Sequence, residues 1–325
     1  MNSVDVLKNK VVIIGTGFVG STYAYALVNH SIAEEIVLID MNREKAEGEA
    51  MDLNHAVPFA STPMKVWQGD YSECQDANIV CITAGVSQSE EVTRLTVAEK
   101  NTGIITGIVE RVMASGFNGI LLVASNPVDV MTYVAWKVSG LPKNKVLGSG
   151  TLLDTARYVH LLSRYFEIDT KNIQGYILGE HGDSQFPVTS QLTIAGKNIK
   201  DVIQSNPKYR WSDIEEIASQ TKQAAYLISE LKGPTYYGIG MSLMRLTRAI
   251  IKDENTVLPI SAYVNGEYGE HDIYIGVPAL VNRHGWQEVY DIPLSDDEHH
   301  KFKESADTLK ETLVPLMKLL KGNVV

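Results

Sequence analysis

The segment Gly15-Thr16-Gly17-Phe18-Val19-Gly20 sets three glycines at the spacing G-x-G-x-x-G, and Asp40 stands 20 residues beyond the last of them. That spacing suits a dinucleotide. Gly15 allows a tight turn, Gly17 lets a pyrophosphate approach the backbone, and Gly20 lets a strand and a helix pack closely. The phosphates then face the free N–H groups of the first helical turn, where Val19 lies. Six residues of this kind carry little information alone. The strand-like run before them, the helical run after them and an acid ending the next strand supply the mechanical context. Asp40 can accept hydrogen bonds from the adenosine ribose hydroxyls and would repel a 2′-phosphate, which favours NAD over NADP.

A nicotinamide cofactor implies hydride chemistry, and three other segments carry groups for it. In Gly179-Glu180-His181-Gly182-Asp183 a histidine sits in an open turn after an apolar run. Carbonyl reduction needs a proton donor for the developing alkoxide, and imidazole titrates near the working pH. Asp154 and Arg157, three apart in Leu153-Asp154-Thr155-Ala156-Arg157, share one helical face. The pair is either a local salt bridge or a division of labour. In the second reading Asp154 orients and stabilises protonated His181, while Arg157 clamps a substrate carboxylate with two hydrogen bonds. Such a contact at about 4 Å has roughly 4 kcal/mol of Coulomb attraction at an effective dielectric near 20. The third segment, Gly85-Val86-Ser87-Gln88-Ser89-Glu90-Glu91-Val92-Thr93-Arg94, is polar and follows a strand, where ligands bind in parallel sheets. It is either a lid that brings Arg94 to the reacting carbonyl or a solvated connector, and the residues alone leave both open.

These groups need a scaffold, and the apolar patterning describes one. Lys10–Ile14, Glu35–Ile39, Ala77–Thr83 and Gly119–Val123 read as strands buried on both faces; Phe18–Asn29, Arg43–Ala56, Val97–Ser115 and Val128–Val138 read as helices. Buried strands alternating with helices predict an α/β, doubly wound parallel sheet. The second half changes character: helices at Thr151–Tyr165 and Trp211–Leu231, and shorter strands at Gly175–Leu178, Ser190–Ile194, Val257–Val264 and Asp272–Pro278. Near the end, Ser295 is placed to cap a helix whose Phe302, Ala306, Leu309, Leu313 and Met317 share one packing face. No linker or repeat separates the halves, so a firm interface is expected near residue 148.

Composition narrows the function classes. A chain of 325 residues, 44% hydrophobic and 21% charged, is that of a soluble globular protein with one large domain or two. A net charge of -10 disfavours nucleic-acid and anionic-membrane partners, and an acidic protein acting on a small anion must gather its positive charges inside the site. Cys74 and Cys81 are the only cysteines, which suggests neither a disulfide framework nor a metal site and suits a reducing cytoplasm. The N-terminus lacks the apolar core of a signal peptide, and no apolar run approaches the ~18 residues of a membrane helix.

Together the segments VVIIGTGFVGSTYAYAL, MDLNHA, TAGVSQ, SNPVDV, GSGTLLDTARY, GEHGDS, KGPTYYGI and YIGVPA resemble, in order and over nearly the whole chain, the bacterial L-lactate dehydrogenases of the lactate/malate dehydrogenase family. The resemblance implies a Rossmann domain over 1–148, an α+β catalytic domain over 149–325 and a homotetramer. It makes His181 the proton donor and acceptor with Asp154 its partner, Arg157 the carboxylate anchor, and Arg94 the group that polarises the ketone once the loop closes. Asn126 would bind substrate and place the nicotinamide ribose, Thr235 would line the pocket, and Ile239 would press on the nicotinamide ring. Lys45, Tyr71, Gly85, Val86 and Ser149 join the glycines and Asp40 near the cofactor. Gln88 sets the substrate class: malate dehydrogenases carry Arg there, and a neutral Gln leaves a second carboxylate unpaired in a dry site. Pyruvate is therefore expected over oxaloacetate, with a bulkier 2-oxo acid as the remaining alternative.

Two departures from the family pattern bear on kinetics. Ser89-Glu90-Glu91-Val92 replaces a stretch containing Pro-Gly-Glu in most relatives, adding an acid near the entrance. Val159 and Gln174 stand where relatives activated by fructose 1,6-bisphosphate carry Arg and His; neutral groups cannot compensate for stripping water from that ligand, so little or no activation is expected. The altered lid should raise the KM for pyruvate without much loss of hydride-transfer chemistry. Steady-state kinetics of the combined variant Ser89→Lys, Glu90→Pro, Glu91→Gly, Val92→Glu should show a lower KM at similar kcat, and an unchanged KM would count against this.

Overall fold

The computed structural model describes residues 9–86 and 94–322. The first half lays down β1 (Lys10–Ile14), α1 (Phe18–His30), β2 (Glu35–Ile39), α2 (Arg43–Ala56), β3 (Lys65–Gln68), β4 (Ile79–Ile82), α3 (Arg94–Ala114), β5 (Ile120–Val123), α4 (Val128–Ser139) and β6 (Val146–Gly148). Its six strands are parallel, in the spatial order β3-β2-β1-β4-β5-β6. Every residue of β1, β4 and β5 is buried. Helices cover both faces of such a sheet, so its strands are unbroken Ile/Val/Leu runs with no solvent face to alternate toward. Successive strands run to opposite sides of β1, and the loops after β1 and β4 part at that switch point. Gly15 makes the parting possible: its φ is +105°, and a Cβ there would lie 2.6 Å from the Ala84 nitrogen.

The second half runs through α5 (Leu152–Phe166), the short strands β7 (Ile173–Gln174), β8 (Ile177–Leu178), β9 (Phe186–Pro187), β10 (Thr193–Ile194) and β11 (Lys197–Asn198), and the helices α6 (Ile199–Ser205), α7 (Trp211–Lys232) and α8 (Tyr237–Ile251). It ends with β12 (Thr256–Asn265), β13 (His271–Asn282), β14 (Gly285–Val289) and α9 (Asp296–Gly322). β12, β13 and β14 extend the parallel sheet as antiparallel strands, because Ser261 of β12 pairs with Gly148 of β6. The contact expected near residue 148 is thus a continuous nine-stranded sheet. A second, smaller apolar cluster joins Tyr158, Leu162 and Phe166 of α5 to Ile173, Ile194, Ile214 and Ile217.

Several elements differ from the sequence expectation. Of Gly175–Leu178 only Ile177–Leu178 forms a strand, β8, paired with β9, while β7 precedes it and pairs with β10; Ser190–Ile194 begins as a 3₁₀ turn (Thr189–Gln191). α8 was not foreseen, since Gly238 and Gly240 weaken its helical pattern and no side chain caps its start. Packing supplies the reason for both glycines: a Cβ on Gly238 would come 2.7 Å from Leu153 Cδ1, and one on Gly240 2.7 Å from Thr22 Cγ2. β3, β6, β14 and α6 are too short for their periodicity to stand out.

α9 follows its pattern. Ser295 and Glu298 form a capping box, the Ser295 N–H donating to Glu298 Oε2 (2.8 Å) and the Glu298 N–H to Ser295 Oγ (3.4 Å). Phe302, Ala306, Leu309 and Leu313 are buried along one face. Cys74 and Cys81 are buried free thiols, and burial pushes Cys74 up to about 12. Among the described residues, no helix is long and apolar enough to cross a membrane and no side-chain cluster could hold a metal ion.

Candidate active site

His181 is held by backbone before its ring is considered. Gly179 (φ +96°) leaves β8 and exchanges two 3.0 Å hydrogen bonds with Gly276 of β13. Neither position has room for a side chain: a Cβ on Gly276 would lie 2.6 Å from the Gly179 carbonyl oxygen, and one on Gly179 would lie 2.6 Å from Ser305 Oγ of α9. The next two amides donate to side chains, Glu180 N–H to Ser305 Oγ (2.6 Å) and His181 N–H to Asp129 Oδ2 (2.8 Å). The loop is therefore anchored to three separate elements.

Asp154, in the first turn of α5, is 1% exposed and serves two cations at once. Its Oδ2 lies 2.6 Å from His181 Nδ1, and its Oδ1 accepts a 3.0 Å hydrogen bond from Arg157 Nη1. The geometry thus contains the local salt bridge of the first reading and the Asp154–His181 contact of the second. With Nδ1 engaged, Nε2 is the imidazole nitrogen left to exchange a proton with a ligand. Arg157 has spent one of its five donors and is 15% exposed, which leaves a planar fork able to grip a carboxylate.

The electrostatics favour the charged forms. Burial lowers the proton affinity of His181, but the charge and hydrogen bond of Asp154 and the charge of Asp129 outweigh it, against Arg157, and the imidazole rises from 6.5 to about 9. Burial pushes the Asp154 carboxyl up, and His181 and Arg157 more than reverse that, so it stays below its ordinary value. His181 accordingly carries its proton through neutral pH.

The predicted cofactor groups lie along one edge of the sheet. Gly15, Gly17, Val19 and Gly20 follow β1, Asp40 follows β2, Gly85 and Val86 follow β4, Asn126 follows β5 and Ser149 follows β6. Tyr71 lies beyond β3 under the Arg111 guanidinium, and Lys45 is exposed in the first turn of α2. A dinucleotide fits this edge. Gly17 begins α1 with no side-chain cap, and a Cβ there would meet nothing within 4 Å, so open space fronts the free N–H groups. By contrast, a Cβ on Gly20 would overlap the Gly15 carbonyl. Asp40 Oδ2 accepts from Thr16 N–H (2.7 Å) and Thr16 Oγ1 (2.9 Å), and Oδ1 from Asn42 N–H (3.0 Å). Burial raises its pKa, but these bonds and Lys45 outweigh that and keep the carboxyl low, an ionised acceptor suited to ribose hydroxyls.

Thr235 and Ile239 are half-buried at the junction of α7 and α8, which packs on α1 and α5. Arg94 is the first residue of α3. Gln88 and Ser89–Val92 lie outside the described residues. Val159 packs against the smaller apolar cluster and Gln174 is exposed on β7.

Sequence reasoning passed over three residues that hold the site together: Asp129, Ser305 and Asn101. Asn101 is fully buried on α3; its Oδ1 accepts from Val86 N–H (2.8 Å), and its Nδ2 donates to the carbonyls of Val86 (3.1 Å) and Asn126 (2.7 Å). It ties the loop after β4 to the loop after β5. The available signal was an amide on the buried stripe of Val97 and Ile105.

Comparison with known proteins places the chain in context. Residues 9–148 match the lactate/malate dehydrogenase NAD-binding domain, and residues 151–319 match the family's alpha/beta C-terminal domain. The L-lactate dehydrogenase 2 and L-lactate dehydrogenase 1 of Bacillus cereus are each 52% identical to it over 309 residues, covering 95% of this chain and 98% of theirs. A lactate dehydrogenase from a Medee basin deep-sea metagenome superposes with a TM-score of 0.93 at 49% identity, covering 95% of this chain and 99% of that one. The minor L-lactate dehydrogenase from Enterococcus mundtii in its ligands-bound form does so at 0.93 with 48% identity, over 94% and 98%.

The Asp154–His181 contact predicts a pH signature. A histidine raised from 6.5 to about 9 on folding contributes stability that is complete below 6.5 and is lost as the pH climbs through 9. Asp154→Asn should bring the NMR titration midpoint of the His181 Cε1–H down by more than ~1 unit and flatten the decline of melting temperature over that window. A midpoint left near that of the parent protein would show that Asp154 does not govern the ring.

Proposed function

The chain belongs to the lactate/malate dehydrogenase family, and from that premise we propose that it is an NAD-dependent L-lactate dehydrogenase interconverting pyruvate and L-lactate. The observation that carries this reading is the convergence of His181 and Arg157 on the buried carboxylate of Asp154, at 2.6 and 3.0 Å. One group for a proton and one for a carboxylate stand side by side, which a 2-oxo acid requires.

Residues 1–148 hold the cofactor and 149–325 the substrate. The glycines of the first loop and the α1 N-terminus receive the pyrophosphate, Asp40 the adenosine ribose, and Asn126 the nicotinamide ribose. Lys45, Tyr71, Gly85, Val86, Ser149 and Ile239 complete the cofactor's surroundings. When bound, the nicotinamide supplies or accepts the hydride at the substrate's second carbon. Arg157 fixes the substrate carboxylate with two charge-assisted hydrogen bonds, and Thr235 and Asn126 line the rest of the pocket. Arg94 polarises the ketone. As charge develops on the ketone oxygen, His181 Nε2 gives up its proton; in the oxidative direction the neutral ring takes the hydroxyl proton. Asp154 keeps the ring oriented and stabilises it while charged, and it does not itself take the proton.

Gln88 fits a monocarboxylate. A dicarboxylate's second charge would find no cation to replace its water. We assign the protein to the cytoplasm as a homotetramer. Apolar side chains left exposed on α7 (Tyr226, Leu227, Leu231) and around α2 (Met51, Phe59) support burial between subunits.

NADH oxidation with pyruvate, oxaloacetate, phenylpyruvate and 2-oxoisocaproate, each with and without fructose 1,6-bisphosphate, tests the reading. The kcat/KM for pyruvate should exceed that for oxaloacetate by at least ~100-fold, with no left shift of the pyruvate curve on adding the bisphosphate. Equal or better turnover of another acid would overturn the substrate assignment, and a clear left shift would overturn the regulatory one.

A further inference from the structure

The turn between α7 and α8 carries Thr235, and backbone bonds alone do little to fix it. The Gly233 N–H bonds back to the Ser229 carbonyl and the Tyr236 carbonyl accepts from the Gly240 N–H, both at 2.9 Å. Pro234 and Thr235 turn the chain between them, and α8 starts after Tyr236 with no side-chain hydrogen bond capping it. Rings hold the turn instead. The Tyr236 ring stacks on that of Phe18, the first residue of α1, with centroids 5.2 Å apart and planes 18° from parallel. Tyr237 meets Tyr236 edge-on with centroids 4.5 Å apart. Lys232 Nζ lies 3.4 Å from the Tyr236 centroid and donates a 3.1 Å hydrogen bond to the Pro234 carbonyl.

Phe18 is an odd place for a large apolar side chain. It follows Gly17 in the glycine loop and is 64% exposed, so the core does not need it. A dinucleotide's phosphates address the backbone N–H groups of this turn, a task in which no side chain takes part. The neighbour that the ring does have is Tyr236. A second contact reinforces the first. Thr22, one turn along α1, donates from Oγ1 to the Phe18 carbonyl (2.6 Å), and its Cγ2 leaves no room for a Cβ on Gly240 of α8. The same segment also touches α5, where Gly238 lies against Leu153, the residue before Asp154. One short stretch of chain thus rests both on the first turn of the cofactor-receiving helix and on the helix that carries Asp154 and Arg157.

We propose that Phe18 and Tyr236 are positioning residues for the substrate: their stacked rings fix the α7–α8 turn to the glycine loop and thereby hold Thr235 at the wall of the pocket. The inference rests on the reading of the chain as a 2-oxo-acid dehydrogenase with Thr235 in its substrate site. Cofactor binding asks only for the main chain of Phe18, which leaves its ring for this second task. Truncating either ring releases the same contact, so the two residues act as one unit.

Phe18→Ala and Tyr236→Ala, alone and together, test this in the full-length protein, with Tyr236→Phe as the conservative control. Alanine is the better helix former and Phe18 is mostly exposed, so α1 stays intact in its variant. In turnover, each alanine variant should raise the KM for pyruvate about 3- to 10-fold while kcat falls less than about twofold, and the double variant should be no worse than the single ones. Tyr236→Phe keeps the ring and should stay within about twofold of the parent. The Kd for NADH, from fluorescence titration without substrate, should change less than about twofold throughout. Additive effects of the two substitutions, or a weakened NADH Kd with an unchanged pyruvate KM, overturn the proposal. Amide hydrogen exchange over residues 235–240 of the unliganded protein should speed up about 3- to 10-fold in either alanine variant, and unchanged exchange overturns the proposal equally. Should Tyr236→Ala not fold, Phe18→Ala and Phe18→Tyr make the same comparison from α1, tyrosine keeping the stack and the parent KM. The exchange is read without substrate. Faster exchange in a protein inert toward pyruvate would sustain the anchoring of the turn and sink the functional reading instead.

Discussion

One buried carboxylate organises this protein's chemistry. Asp154 has almost no contact with solvent, and an ion in that position survives only when its charge is matched. Two cations match it, His181 on one oxygen and Arg157 on the other. Each is steered by the same anion, so the imidazole and the guanidinium are fixed relative to one another through it. In an overall acidic chain, this is how positive charge is concentrated where a small anion must bind. The arrangement also explains why the pKa values diverge: burial alone would discharge both partners, and only their proximity keeps the acid low and the base high.

Bringing the three together depends on close backbone packing elsewhere. The sheet runs without a break from the cofactor-binding strands into β12 and β13, joined where Ser261 faces Gly148. Gly179 and Gly276 then lock the histidine loop to β13 at main-chain distance. α9 adds Ser305 from the far end of the chain, and α8 lies close enough to α1 and α5 that two of its residues have no room for side chains. Asn101 performs a parallel task on the cofactor side by joining two strand-end loops. The site is thus built on the rigid core, and its loops inherit precision from the sheet.

How much of this could be read from the residues follows from the range of each interaction. β1, β2 and α2 were legible to the residue, because their patterns are continuous and their neighbours alike. That His181, Asp154 and Arg157 come together was legible because each sits in a local signature with a chemical reason. α8 was illegible, since its glycines answer to Thr22 and Leu153, which are distant in sequence. Asp129 and Ser305 were missed for the same reason: their bonds to the histidine loop span 52 and 125 residues. Local pattern thus reveals the candidate groups of the site more readily than the groups that hold them.

The most direct measurement is a crystal structure of the protein with NADH and oxamate, a pyruvate analogue whose carbonyl resists reduction. Oxamate should lie with its carboxylate gripped by two hydrogen bonds from Arg157 and its carbonyl oxygen within hydrogen-bonding reach of His181 Nε2, while Asp154 keeps its contact with Nδ1. Density for the analogue away from that guanidinium, or an imidazole turned so that Nε2 meets only protein, would contradict the account at its centre.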